Sequence, residues 1–198
     1  MTAHSVPKTP FDTTRSTTCA PIVFVTGAPG AGKSTLAREV ARRIRAPFLY
    51  KDGIKESLFD ELVVQDLFSS EITRPITEQL SAVARHVLFE SVLGFPLDVP
   101  VVIEGDFGAG DIPPVLQTGA RPLIELHCKC DREIRLQRHA ERTLTDRHPV
   151  HCDDESTAEF LRTIPDEVFG PHGLGSVHVI DTTDVVDLDK VMRFVNYG

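Results

Sequence analysis

Residues 27–35 read GAPGAGKST, and Gly27, Gly32, Lys33 and Ser34 fit G-x-x-x-x-G-K-[ST] without a mismatch. In this pattern the glycines let the backbone of Gly27, Ala28, Pro29, Gly30, Ala31 and Gly32 curl so that its N–H groups face inward around a phosphate. A helix starting at the end of the loop adds positive potential at the same point. Lys33 is then placed for the β- and γ-phosphates, the Ser34 hydroxyl for Mg²⁺, and Thr35 for the α-phosphate. An accidental glycine-rich turn would not need an apolar run before it and a helical pattern after it, and both are present. The loop is read as a nucleotide-phosphate site.

Phosphoryl transfer needs more than a cradle, and two acidic clusters supply candidates. VVIEGDF offers Glu104 directly at the end of an apolar run and Asp106 two residues on. Glu104 is the expected magnesium partner, and Asp106 is expected to face an acceptor. LYKDGIKESL places Asp52 at the end of another short apolar run. An aspartate before a helix is commonly just an N-cap. At the carboxyl edge of the strand that follows the phosphate-loop helix, it is also placed to take a proton from an acceptor hydroxyl. Lys55, one helical turn on, shares its face and is expected to bind acceptor or phosphate charge.

The third cluster is basic. Arg135, Arg138 and Arg142 are spaced i, i+3, i+7 on one predicted helix, and Arg147 follows in a loop. In a chain of net charge −8 this is a local cationic patch of the kind that stabilises a transferring phosphoryl group. Arg138, Arg142 and Arg147 are read as functional, and Arg132 or Arg135 as decorative. RHPVHCDD (147–154) mixes histidine, cysteine and aspartate at a spacing that matches no common zinc pattern, so it reads as a polar lid loop. IDTTD (180–184) brings Asp181 and Thr182 to a strand end, expected near the nucleotide base.

These residues need a scaffold that gathers strand ends. Apolar runs at 22–26, 47–50, 99–104, 121–128 and 176–181 read as strands. Helical patterns at 34–45, 51–63, 72–94, 131–144 and 184–196 separate or close them. Alternation of this kind implies a parallel sheet covered on both faces, with ligands at the carboxyl ends of its strands. The 198 residues, 41% hydrophobic and 25% charged, suit one globular domain over 21–198, with a lid around 139–156. Residues 1–20, rich in Thr, Ser and Pro, read as a disordered tail. No apolar signal segment or membrane run is visible, so Cys19, Cys128, Cys130 and Cys152 are expected as free thiols in a cytoplasmic protein. The acidic balance makes a long nucleic acid an unexpected partner.

With those motifs in place, the chain resembles the P-loop kinases of the adenylate-kinase-like group. Within it, the chain is most similar to the AAA-type "predicted kinase" branch that includes chloramphenicol phosphotransferase-like enzymes, zeta-toxin-like kinases and the kinase domain of bacteriophage polynucleotide kinase. The resemblance runs from about Pro21 to Asp184 and is carried by GAPGAGKST, KDGIKESL, VVIEGDF, the Arg138/Arg142 helix, RHPVH and IDTT. It implies an α/β P-loop NTPase sandwich of three layers, with a five-stranded parallel sheet in the order 2-3-1-4-5 and a small mobile lid. It also implies Asp52 as base, and Arg138 and Arg142 as an R-x-x-x-R pair on the nucleotide phosphates.

Departures narrow the substrate. Asp52-Gly53-Ile54 replaces the Asp-Gly-Asp of sugar-acid and adenylylsulfate kinases, and the glycine-rich signature of shikimate kinases is missing. The E-R-S type signature of deoxynucleoside kinases is missing too, and the third-strand acid is Glu104 where Asp is commoner. The expected activity is an ATP- and Mg²⁺-dependent kinase acting on a hydroxyl of a small molecule: an antibiotic, nucleoside or sugar. The acceptor pocket is expected between Asp52, Asp106 and 54–94, with Phe59, Leu62, Phe68 and Phe89 as a possible apolar wall. The alternatives are a polynucleotide 5′-hydroxyl kinase, disfavoured by the acidic 56–71, and a nucleotide-dependent switch. The absence of N-K-x-D favours ATP over GTP.

Overall fold

The computed structural model describes residues 19–64, 73–119, 121–145, 147–152 and 155–197. Most of the expected N-terminal tail, and Phe68, lie outside these residues. Five strands, β1 (Ile22–Gly27), β2 (Phe48–Tyr50), β3 (Val101–Glu104), β4 (Leu123–Lys129) and β5 (Ser176–Asp181), pair in parallel in the order β2-β3-β1-β4-β5. This is the implied order. Ile22, Val23, Phe24 and Val25 of the central strand are fully buried, which explains why β1 is a continuous apolar run.

Two cores cover the sheet. Val23, Val25, Val102, Ile124 and Leu126 pack on one face against α1 (Lys33–Ile44) and α7 (Leu188–Tyr197). Ile22, Phe24, Val101 and Ile103 pack on the other against Leu88, Phe89 and Val92 of α3 (Arg74–Leu93). Alternate residues of each strand serve opposite faces, as the two-residue strand period requires. A small third cluster of Phe59, Leu80 and Val150 joins α2 (Lys51–Val64) and α3 to the 3₁₀ turn Pro149–His151. Cys128 lies in the first core, where burial pushes its thiol up to about 12, and all four cysteines are free.

Two boundaries differ from the sequence pattern for identifiable reasons. β4 begins at Leu123 because Arg121 turns under the sheet and donates to the carbonyls of Ala20, Pro21 and Val99. α7 begins at Leu188, where the Asp187 carboxylate accepts the Lys190 N–H, so 184–187 remain a loop.

A buried carboxylate fixes the sheet to the chain entering β5. Glu125, 0% exposed, accepts the Thr26 hydroxyl (2.7 Å) and the backbone N–H groups of His172 and Leu174. Thr26 therefore spends its hydrogen on Glu125 and accepts from His127 Nδ1 (3.1 Å). Burial acts to raise the Glu125 pKa, but these donors outweigh it and hold the carboxyl below its ordinary range. Glu125→Leu should lower unfolding free energy by about 2–4 kcal/mol, read from urea denaturation, because three donors lose their acceptor. The depressed folded pKa means this stabilisation is complete above the unfolded glutamate value and fades as pH falls through the folded one.

Candidate active site

The phosphate loop occupies residues 27–33 between β1 and α1. Gly30 holds φ +80°, and a Cβ there would stand 2.1 Å from the Arg135 carbonyl. Gly27 holds φ +134° with Cys128 O at 2.4 Å from a Cβ position. Both glycines are thus required by conformation and by close backbone approach. The loop is braced from outside: Thr182 Oγ1 lies 2.8 Å from the Ala31 carbonyl, to which it donates. Lys33 Nζ donates across the loop to Ala28 O (3.0 Å).

Ser34 Oγ donates to Glu104 Oε2 (3.1 Å), so the two residues expected at magnesium meet at the end of β3. Burial raises the Glu104 pKa against the pull of Lys33. A hydroxyl and a carboxylate side by side, one buried and short of positive charge, suit a hard cation that takes its remaining ligands from phosphate and water. The donor set fits Mg²⁺.

A single cleft of about 590 Å³ runs from this loop past Glu104 to Asp52. It brings together Lys33, Ser34, Asp52, Lys55, Asp106, Arg138, Arg142 and Arg147. Asp52 lies 3.5 Å from Lys51 Nζ and 3.7 Å from Arg147 Nη1. Burial acts to raise the Asp52 pKa, yet Lys51, His151, Lys55 and Arg147 more than compensate and hold it at about 2. Asp106 pairs with Lys51. His151 donates through Nε2 to the Glu56 carboxylate (2.6 Å), with Nδ1 4.0 Å from Asp52; burial holds its pKa below the ordinary value.

Lys51 and His151 were not singled out in the sequence. Lys51 was masked by its neighbour Asp52, although its position at the strand end is the same signal. In the sequence His151 reads as general lid polarity, and only the fold places it over α2. Arg74, Thr77 and Ser81 also line the cleft, at i, i+3, i+7 spacing on α3. That stripe is legible in the sequence once the acceptor side is known.

Other residues have contacts that the sequence does not specify. Arg135 and Arg132 are not decorative: Arg135 is 2% exposed and pairs with Asp166 across the ring of Phe169, and Arg132 donates to Asp166 and to the carbonyls of Arg162 and Ile164. Together they fasten α5 (Arg132–Thr145) to residues 162–169. Arg138 donates to the carbonyls of Thr182 and Thr183, both at 2.8 Å, while lining the cleft. Asp181 accepts the Thr183 N–H, whereas Thr182 and 184–186 line a second groove beside Thr35 and Arg38. Phe59 and Leu62 belong to the α2–α3 cluster and Phe89 to the sheet core, so none forms an apolar acceptor wall. The lid segment also differs: α5 runs through Thr145, and Glu155–Thr163 is a further helix, α6, absent from the sequence reading.

A five-stranded parallel sheet in this order, with a phosphate loop after its central strand, is the fold of the P-loop kinases. Residues 22–165 match the AAA domain model AAA_33, and the chain belongs to that family. It is similar to a "putative kinase" from Chloroflexus aurantiacus, with 25% identity and a TM-score of 0.78 over 90% of this chain and 97% of that one. The fold is shared with shikimate kinase from Acinetobacter baumannii, at 15% identity and TM-score 0.54 over 89% and 92% of the two chains. It is shared also with a sugar kinase from Janibacter, at 16% identity and TM-score 0.54 over 89% and 95%. No curated protein matches the sequence. Among the described residues, no helix is long and apolar enough to cross a membrane.

Proposed function

We propose that the chain is an ATP- and Mg²⁺-dependent kinase that transfers the γ-phosphoryl group to a hydroxyl of a small molecule. The observation that carries this reading is the shared cleft: the phosphate-loop lysine and an ionised, cation-flanked Asp52 face one space. A nucleotide switch needs the first and not the second. The kinase names of the similar structures agree with it.

The loop N–H groups and Lys33 hold the β- and γ-phosphates, while Arg142 and Arg147 line the path of the moving group. Ser34 and Glu104 would hold the Mg²⁺, which neutralises charge between the β- and γ-phosphates. Asp52 orients the acceptor hydroxyl and takes its proton as the new O–P bond forms and the bond to ADP breaks. A base held near 2 is weak, so it accepts this proton only late, when the acceptor oxygen is already bonded to phosphorus.

The test is incubation with γ-labelled ATP and a panel of hydroxylated metabolites, followed by location of the label. The expected result is a labelled phosphate ester formed one-for-one with ADP. ATP binding without transfer to any acceptor would replace the kinase with the switch.

A further inference from the structure

We propose that the acceptor is a small polyhydroxylated molecule bearing its own oxyanion, a carboxylate or a phosphate, and that Lys55 binds that group. This rests on the kinase reading of the same cleft, and it departs from the expectation that Asp52-Gly53-Ile54, in place of Asp-Gly-Asp, speaks against sugar-acid substrates.

Lys55 is 4% exposed yet lines the cleft. Among the described residues it makes no hydrogen bond and no ion pair within 4 Å, and the nearby carboxylates are paired elsewhere. Asp52 is shared by Lys51 and Arg147, and Asp106 is held by Lys51. The Lys55 side chain is buried along its stem while its ammonium opens to the cleft, so an anion docking there would give its donors an acceptor. Lys55 stands one helical turn beyond Asp52 on α2, so the two share a face and line the same cleft.

Charge balance points the same way. The cleft is lined by seven lysine and arginine side chains against the three carboxylates of Asp52, Glu104 and Asp106, in a chain of net charge −8. The magnesium complex of ATP carries about two negative charges. A cleft lined by so many cations suits an anionic acceptor better than a neutral one.

The opposite wall selects for hydroxyls. Thr77 Oγ1 donates to Val150 O (2.8 Å) and Ser81 Oγ to Thr77 O (2.8 Å). With its hydrogen spent, each oxygen can accept from a substrate hydroxyl. Phe59, Leu80 and Val150 turn into their own cluster, while Phe160, Leu161 and Phe169 give the cleft an apolar stretch against which the carbon skeleton of a polyol can pack.

The experiment titrates the full chain, saturated with a non-hydrolysable ATP analogue and Mg²⁺, with matched three- to six-carbon polyols. Each set ends in a hydroxymethyl, a carboxylate or a phosphate; glycerol, glycerate and glycerol 3-phosphate form the shortest. The anionic members should bind and the neutral ones should not, and the two anionic arms identify which oxyanion is preferred. Lys55→Met should weaken that binding about 10- to 100-fold, and Lys55→Arg should retain it within about tenfold. The affinity for the ATP analogue should stay unchanged, with the thermal midpoint reporting an intact fold. Equal binding of neutral and anionic members, no binding of either, or loss of analogue affinity in Lys55→Met overturns the proposal. Anions that bind through Lys55 but never receive label from ATP would leave the anion site standing and remove the kinase reading instead.

Discussion

Lys33→Ala should lower kcat/KM for ATP by at least about 10³-fold, roughly 4 kcal/mol of transition-state stabilisation. The lysine is almost buried, and its ammonium sits within the curl of the loop, on the carbonyl of Ala28. There it acts on phosphate charge in a region water reaches poorly, where one fixed cation counts for more than it does in solvent. The variant keeps the loop itself, because Gly27, Gly30 and Thr182 define its course independently of Lys33. Steady-state kinetics with a thermal-unfolding control therefore separates the charge from the fold. Activity within tenfold of wild type, with the fold intact, would remove the phosphate-site assignment.

The second large effect is at Asp52. Asp52→Asn keeps the shape of the side chain and removes its capacity to accept a proton, so turnover should fall on the order of 10²- to 10⁴-fold. ATP affinity, measured by equilibrium titration, should be unchanged, since the groups that Asp52 contacts, Lys51, Arg147 and His151, lie outside the phosphate loop. The pH dependence follows from its surroundings. With a folded pKa of about 2 against an ordinary 3.8, Asp52 is ionised throughout the range where the protein is assayed, so kcat/KM should show no acid limb from this group above about pH 4. The stabilisation it supplies is complete above 3.8 and is lost as pH falls through about 2. A variant that transfers phosphate at the wild-type rate would take the base role away from Asp52.

Features set by local chemistry were the ones legible in the sequence. The loop of residues 27–35, the five strands, the buried apolar runs of β1 and β3, and the approach of Ser34 to Glu104 all follow from motif and periodicity. The arginines of α5 show where such reasoning stops. A helical stripe of Arg135, Arg138 and Arg142 is visible, but its individual fates are set by partners distant in sequence: Asp166 and Phe169 claim Arg135, and Thr182 and Thr183 claim Arg138. Spacing could not separate a strut from a phosphate ligand. Phe59 and Leu62 illustrate the same limit from the apolar side, since which face of α2 meets α3 depends on Leu80 and Val150. His151 required knowing that 149–151 folds back over α2.

The bracing around the phosphate loop has a mechanical consequence. Gly30 rests on the Arg135 carbonyl, Ala31 is held by Thr182, and Thr182 and Thr183 are clasped by Arg138. The loop, the first half of α5 and the end of β5 are therefore joined by direct contacts into one block. On the other side, His148 bonds Asp60, His151 bonds Glu56, and Thr77 reaches Val150, which ties the 148–151 turn to α2 and α3 as a second block. The Asp52–Arg147 contact stands where the acceptor-side block meets the route back to α5. On the kinase reading, adjustment to the acceptor is expected in this second block, while the cross-braced phosphate loop keeps its shape.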